Sequence, residues 1–494
     1  MYAIGYDIGS SSIKAALILT DSGEQLDLIS LPEVEMEIHT PHKAWAEQDP
    51  NIWWKYVCEA TKHLLQRNQV DAKDITGVGI AYQMHGLVIV DDKGTPLRDA
   101  IIWCDSRAVS IGEKAFNALG PEQCCTHALN SPGNFTASKL RWVKENEPDN
   151  YAKIAKFMLP GDYIAYKLTD RICTTIPGLS EGIFWDFKTN DIATWLLDHY
   201  AISSDLIPDI VSTFDIQGRV SVEGSKATGL AVGTPILYRA GDQPNNALAL
   251  NVFEPGEIAA TGGTSGVVYA VTEKSITEDG QRINNFAHVN HTSENPRIGK
   301  LLCINGCGIQ YRWLLNNLSV SSYEDMNALA AEVPIGADGV TILPFGNGAE
   351  RMLDNKHINT HFFHIDLNRH DKKQLCRAAL EGIAFAFAYG IEMMLTEGDK
   401  ARVIRAGNDN LFRSEIFSKT LATLTGQEIE IYKVTGAVGA ARACKFHHKD
   451  FKTYREEMNT TDYVKSFFPD TSKEQYNTAY ARWKKALHSV LKSN

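Results

Sequence analysis

The chain has 494 residues, 44% of them hydrophobic, which is enough material for two domains each with its own core. Its 49 basic against 60 acidic residues leave a formal net charge of -11, and that argues against nucleic acid or an anionic membrane as the main partner. The opening MYAIGYDIGSSS has no basic n-region and carries an acid at Asp7, so it does not read as a signal peptide. The longest apolar helix candidate, Gly382 to Leu395, contains Glu392 and is too short to span a bilayer. A soluble cytoplasmic protein is expected. The nine cysteines are scattered and form no CxxC pair, as reduced thiols of such a protein would. Cys303 and Cys307 could share a helix face, but no further ligand completes a zinc set. His447-His448 reads as a solvated helix end.

In chain order, Ala3 to Asp7 and Ile13 to Leu19 are β-runs joined by Ile8-Gly9-Ser10-Ser11-Ser12. Gly9 relieves the steric limits of the turn, and the serines can donate to phosphate oxygens. A plain hairpin accounts for the pattern equally well. In a nucleotide site, Asp7 at the end of the first run would serve Mg2+ through waters. Asp49 and Pro50 read as the cap and first position of a helix over Asn51 to Arg67. Gly77 to Ala81 is a buried strand that delivers Tyr82-Gln83-Met84-His85-Gly86, either a site for hydroxyl groups or satisfied core polar residues. Ile101 to Arg107 repeats the arrangement, with Trp103 able to lie against the apolar face of a sugar.

Phe135 to Leu168 reads as mostly helical, and Ile176 to Phe187 as a Gly-rich connection without clear periodicity. Pro235 to Arg239 is a short buried strand that delivers Ala240-Gly241-Asp242 at its C-terminal end, where open α/β sheets place their ligands. Asp242 is either a base in that cleft or the N-cap of the helix over Asn245 to Asn251. Glu257 to Thr261 and Gly266 to Val271 are β-runs joined by Gly262-Gly263-Thr264-Ser265, a hairpin turn or an anion nest. This strand, small-residue turn and strand repeat the N-terminal arrangement, as in a duplicated architecture with two phosphate loops facing one cleft.

Ile283 to Ser293 reads as a polar loop. A strand at Leu301 to Ile304 follows, then helices at Ile309 to Asn317 and Tyr323 to Glu332. A strand at Gly339 to Pro344 and a long helix from Asp371 to about Leu395 come next. Val403 to Ala406 is a strand ending in Gly407-Asn408-Asp409-Asn410, with Ser414 capping the next helix. Thr435 to Arg442 is a small-residue stretch suited to close helix approach near a ligand. From Lys449 onward the chain reads as a charged, helical, peripheral cover.

These residues resemble the FGGY carbohydrate kinases along almost the whole chain. The carriers are Asp7-x-Gly9-Ser10-Ser11, Trp45-x-Glu47-Gln48-x-Pro50, Gln83-Met84-His85-Gly86, Trp103-x-Asp105-x-Arg107, Gly241-Asp242-Gln243, Gly263-Thr264-Ser265-Gly266, Leu380-Glu381-Gly382 and Gly436-Ala437-Val438-Gly439-Ala440-Ala441. The resemblance implies an α/β protein of the actin/hexokinase-like, ribonuclease-H-like fold, with two duplicated domains around a central cleft. Residues 1–247 would bind the sugar and carry the base, and residues 248–494 would bind the nucleotide. It further implies ATP-dependent phosphorylation of a terminal hydroxyl of D-xylulose, giving D-xylulose 5-phosphate.

By the same resemblance, Asp242 is the general base, and Met84 and His85 contact the ketopentose beside Gln83, Trp103 and Gln243. Asp7 and Asp242 serve magnesium through water. Gly9, Ser10, Ser11 and Lys14, together with Gly263, Thr264, Ser265, Gly407 and Asn408, bind ATP. The glycine triplet usual at the adenine side stands here as Ala406-Gly407-Asn408, which predicts weak ATP binding in the absence of sugar. The expected partners are a small-molecule sugar and ATP, with no nucleic acid and no membrane; a homodimer is compatible with the sequence, which does not fix the oligomeric state. The other readings are a kinase for ribulose, L-xylulose or glycerol, and an actin/chaperone-like ATPase without a sugar substrate.

Overall fold

The computed structural model describes residues 1–273, 282–395, 400–447 and 451–493, arranged as two α/β units, each built on a mixed sheet. The first sheet has six strands in the order Gly218–Arg219, Pro235–Gly241, Ile75–Tyr82, Tyr2–Ile8, Ile13–Leu19 and Gln25–Leu31. The second has seven, in the order Asn284–Ala287, Ile298–Ile304, Gly266–Thr272, Glu257–Gly262, Val403–Gly407, Ile429–Tyr432 and Tyr463–Phe467. In both sheets an antiparallel hairpin leads the unit, and its first strand then pairs in parallel with a strand much later in the chain. The repeat read from the turns is therefore a repeat of topology. Residue 247 lies in the helix Asp242–Ala249, which runs between the last long strand of the first sheet and the first hairpin of the second.

The helix Gly436–Ala443 packs across the first sheet although in sequence it falls between the last two strands of the second. Its backbone lies so close that a Cβ at Gly5 would meet the Ala437 oxygen at 2.0 Å, and one at Gly79 the Ala440 oxygen at 1.9 Å. The small residues of both partners are what permit this approach. The helix end at Gly436 abuts the Asp7 carboxylate, 2.8 Å from where a Gly436 Cβ would stand. Close approach was legible in the sequence; that the partner is the first sheet was not.

Several segments differ from their sequence reading, each for a packing reason. Ile176 to Phe187 contains a buried helix, Ile176–Glu181, capped by Thr175 accepting from the Gly178 N–H at 3.1 Å, and then the short strand Trp185–Asp186. The polar stretch Ile283 to Ser293 holds an edge strand, Asn284–Ala287, because Asn285 is buried, exchanges hydrogen bonds with Asn130 and donates to the Leu129 carbonyl. The mostly helical Phe135 to Leu168 includes a strand, Lys156–Met158. Cys303 lies on a strand and Cys307 at the start of the helix Gly308–Asn317, so they share no helix face. The C-terminal segment is more than a cover: Tyr463–Phe467 closes one edge of the second sheet, and Tyr480 and Trp483 of the helix Lys473–Ser493 are buried in its core. His448 lies outside the described residues. Among the described residues, no helix is long and apolar enough to cross a membrane.

Candidate active site

Three parallel strands of the first sheet end side by side. On Ile75–Tyr82, Ala81 faces Asp7 on one side and Ala240 on the other, while Tyr82 lies between Ile8 and Gly241. This register brings Asp7, the turn Gln83-Met84-His85 and Asp242 to one edge, two strand spacings across. Asp242 is the first residue of its helix rather than the cap; Gly241 is the N-cap and makes no side-chain cap bond. Both carboxylates keep part of their surface open to the cleft and are otherwise enclosed. Burial, and then the neighbouring Asp7, pushes the Asp242 carboxyl up to about 7. Burial likewise raises Asp7, opposed by Lys14, its partner across the hairpin.

The turn that carries His85 is held from several directions. His85 takes a left-handed backbone conformation with φ of 62°, costly for a residue with a side chain. Its N–H donates to Glu181 Oε1 at 3.3 Å, its Nδ1 donates to the Glu181 carbonyl at 3.0 Å, and its own carbonyl accepts from the buried Lys139 Nζ at 2.8 Å. The ring packs against Phe135 and Phe286, with centroids at 4.8 and 5.2 Å. Burial, followed by the charge of Lys139, lowers His85 to about 3, so the ring is neutral. With Nδ1 carrying the proton, Nε2 is an acceptor. Met84 is buried beside Gly241, and both amide atoms of buried Gln83 lack a protein partner, which leaves them able to pair with a ligand.

The first small-residue turn is braced by its neighbours. Gly9 N–H donates to the Ser12 carbonyl at 3.1 Å, the Ser10 carbonyl accepts from Gln48 Nε2 at 2.7 Å, and the Ser11 carbonyl accepts from the Met36 N–H at 2.8 Å. Trp103, 53% exposed, donates its indole N–H to Ser10 Oγ at 3.3 Å, so its ring stands free beside the cleft. The acid and base of the Trp-x-Glu-Gln and Trp-x-Asp-x-Arg motifs meet: Arg107 pairs with Asp105 and Glu47, both at 2.6 Å, and stacks over Trp45 at 3.8 Å. Gln243 follows Asp242 at the rim and is half-buried.

On the opposite side, Gly263, Thr264 and Ser265 form the hairpin turn of the second sheet. The helix Gly308–Asn317 begins against it: the Gly308 and Ile309 N–H groups donate to the Gly263 and Thr264 carbonyls at 3.1 and 3.0 Å. Gly263 and Thr264 border a cavity of about 970 Å3, lined further by the stacked Tyr311 and Tyr323, Arg377, Asn410, Leu411 and Arg413. Its size is that of a site for a large small-molecule ligand, roughly 300–1,000 Å3. Gly407 and Asn408 do not line it. The Asn408 N–H is spent on the Tyr432 carbonyl at 2.8 Å, and Asn410 reaches the cavity instead.

Two buried residues beside the cleft were not read from the sequence. Glu181 comes from the unrecognised helix Ile176–Glu181, and burial, with Asp242 and Asp162 nearby, raises its carboxyl well above the usual range. Lys139 lies fully buried in the helix Thr136–Asn146 and bonds the carbonyls of His85 and Ile102. Arg351, from the second half, extends its charge to His85 and to Cys303, and burial lowers it to about 10. Among the described residues, no group of three or more His, Cys, Asp and Glu side chains could hold a metal ion. Two carboxylates partly open to the cleft are the hard oxygen donors that suit a magnesium ion keeping most of its water, and Asp7 and Asp242 fit that requirement.

The family model "FGGY family of carbohydrate kinases, N-terminal domain" matches residues 2–249, and the C-terminal domain model of the same family matches residues 258–446. The chain is 27% identical to the xylulose kinase of Escherichia coli, over 95% of each chain. It is 29% identical to that of Haemophilus influenzae, over 97% of this chain and 98% of the other. The crystal structure of xylulose kinase from Rhodospirillum rubrum superposes with a TM-score of 0.87 at 24% identity, covering 100% of this chain and 99% of that one.

Proposed function

The chain belongs to the FGGY family of carbohydrate kinases, and as an ATP-dependent sugar kinase, we propose, it transfers the γ-phosphoryl group of ATP to a terminal hydroxyl of D-xylulose, giving D-xylulose 5-phosphate. The observation that carries this reading is the meeting of Asp7, Met84-His85 and Asp242 at one sheet edge, in a cleft whose other side bears the Gly263-Thr264 turn and its cavity. In this reading residues 1–247 hold the sugar and residues 248–494 the nucleotide.

Asp242 accepts the proton of the terminal hydroxyl as that oxygen forms its bond to the γ-phosphorus and the bond to the leaving ADP oxygen breaks. A base near neutrality is matched to that task. His85, neutral, offers Nε2 to a sugar hydroxyl; Gln83 and Gln243 offer amides; Trp103 covers an apolar sugar face. Gly9, Ser10, Ser11 and Lys14 on one side and Gly263, Thr264 and Ser265 on the other supply N–H, hydroxyl and ammonium groups to the phosphates. Phosphoryl transfer asks mainly for such positioning and charge stabilisation. Magnesium, which Asp7 and Asp242 would hold through water, neutralises phosphate charge when bound. The Met84-His85 turn and a base at Asp242 have no evident task in an ATPase that lacks a sugar substrate.

The test is a coupled ADP-release assay across D-xylulose, D-ribulose, L-xylulose, L-ribulose and glycerol. D-Xylulose should give the highest kcat/KM. Faster turnover of another member would remove the D-xylulose assignment and keep the family.

A further inference from the structure

We propose that Glu181 is a specificity-determining residue of this cleft, hydrogen-bonding a sugar hydroxyl next to the one that Asp242 deprotonates. The inference rests on the sugar-kinase reading and deepens it. Glu181 ends the buried helix Ile176–Glu181, and its carboxyl is wedged between the two elements assigned to the sugar and the base. Oε1 accepts the N–H of His85 at 3.3 Å. Oε2 fills the space that a side chain at Gly241 would need: a Cβ there would stand 2.4 Å from Oε2 and 2.6 Å from Met84 Cγ. The carboxyl is thus in contact with the residue preceding Asp242 and with the Met84-His85 turn at once. Among the described residues, no side chain hydrogen-bonds it.

Burial favours the neutral form of Glu181, and the acids facing it, Asp242 and Asp162, act in the same direction. Of the other groups around it, Lys139 opposes this and Tyr82 and Tyr269 are themselves neutral, being raised by burial. His85 is neutral as well. A neutral carboxylic acid both donates and accepts, which a carboxylate does not. Held by His85 on one oxygen, it presents one fixed donor and acceptor pair to the sugar. A rigid polar group that hydrogen-bonds a hydroxyl rejects a ligand whose hydroxyl points elsewhere, because the buried group is then left unpaired.

The experiment measures kcat/KM for D-xylulose and for its C4 epimer L-ribulose, which carries the same groups with the hydroxyl next to the terminal one reversed, in the wild type, Glu181→Ala and Glu181→Gln. The epimer ratio should fall about tenfold or more in Glu181→Ala, the loss expected for one buried hydrogen bond. Glu181→Gln keeps a neutral donor and acceptor of similar size and should retain most of the ratio. If Glu181→Ala does not fold, Glu181→Met, which fills the space without a donor, takes its place. An unchanged ratio with both sugars slowed alike would make Glu181 a packing residue and overturn the proposal. Equal damage in Glu181→Gln and Glu181→Ala would overturn the neutral donor. Should the wild type prefer another sugar, the D-xylulose assignment fails separately, and the ratio is taken between that sugar and its epimer.

Discussion

Lys139 Nζ donates to the His85 carbonyl at 2.8 Å and to the Ile102 carbonyl at 3.0 Å, so one buried cation joins the two turns that carry Met84-His85 and Trp103. The first of these turns is held in a left-handed conformation, with φ of 62° at His85, that other residues must maintain. Lys139 itself is 0% exposed, and burial lowers it to about 7, with Asp105 as the strongest opposing charge.

Replacing Lys139 by Met keeps the length and removes the donors, leaving two buried carbonyls unpaired. Each unpaired group costs about 1–3 kcal/mol, which the turns can relieve by moving. The KM for sugar should rise by about tenfold or more, while the KM for ATP stays near the wild-type value. A fall in kcat with both KM values unchanged would refute the role of Lys139 in shaping the sugar side. The linkage also has a sign. Because the folded-state value lies below the unfolded 10.5, the unfolded chain binds more protons between about 7 and 10.5, and this group makes stability rise with pH in that window. Denaturant melts at both ends of the window should show a shallower rise in Lys139→Met.

Gly308 tests the opposite side of the cleft. A Cβ there would lie 2.3 Å from the Gly263 carbonyl oxygen, backbone that cannot move without shifting the Thr264 turn. Gly308→Ala should therefore raise the KM for ATP by about tenfold or more and leave sugar binding nearly unchanged. Titration calorimetry with each ligand separates the two effects. An unaltered ATP affinity would show that the turn does not hold phosphate.

The strand ends were legible because each apolar run stops at a polar cluster: Gly77 to Ala81 before Gln83, Pro235 to Arg239 before Asp242. Such runs lie inside a sheet whose faces are both covered, which is why they read as continuous. Glu181 escaped because its helix is short and buried on every side, and so shows no amphipathic period. The usable signal was Thr175 followed by Pro177, a cap and a proline of the first turn. Lys139 escaped because lysine in a helix reads as solvent-facing, whereas here Thr136 to Leu140 are all buried. Of the two readings of Asp242, the cap falls one residue away, at Gly241. The cap has to be glycine, since Glu181 and Met84 occupy the place of any side chain at 241.

The pH dependence follows from Asp242. Burial and Asp7 raise its carboxyl to about 7, and only the ionised form can accept the proton of the sugar hydroxyl. The value belongs to the Asp7 and Asp242 pair, which titrates together. kcat/KM should be flat above about 7 and fall about tenfold per pH unit below it. The stability contribution runs the other way. The folded state holds this proton while the unfolded chain, at the ordinary 3.8, does not, so the group makes stability fall as pH rises from 3.8 to about 7. A rate that stays constant down to the ordinary carboxylate range would exclude Asp242 as the base.

Asp242→Asn is the decisive substitution. The helix Asp242–Ala249 does not use the Asp242 side chain as its cap, so the amide should leave the fold intact. The lost charge at the helix start is worth about 0.3–1 kcal/mol, and removing a buried carboxylate beside Asp7 offsets it. The amide cannot accept the proton of the sugar hydroxyl. A positioned general base contributes about 10²–10⁴-fold, so kcat should fall by that factor with ATP affinity and thermal unfolding near the wild type. The epimer ratio measured with the residual activity should persist, because the groups that read the sugar, His85 and Glu181, are untouched. A variant that keeps kcat within a few-fold of the wild type would leave Asp242 a structural acid, and the proton would have to go to another group of the same edge, such as Asp7, whose charge reaches Asp242.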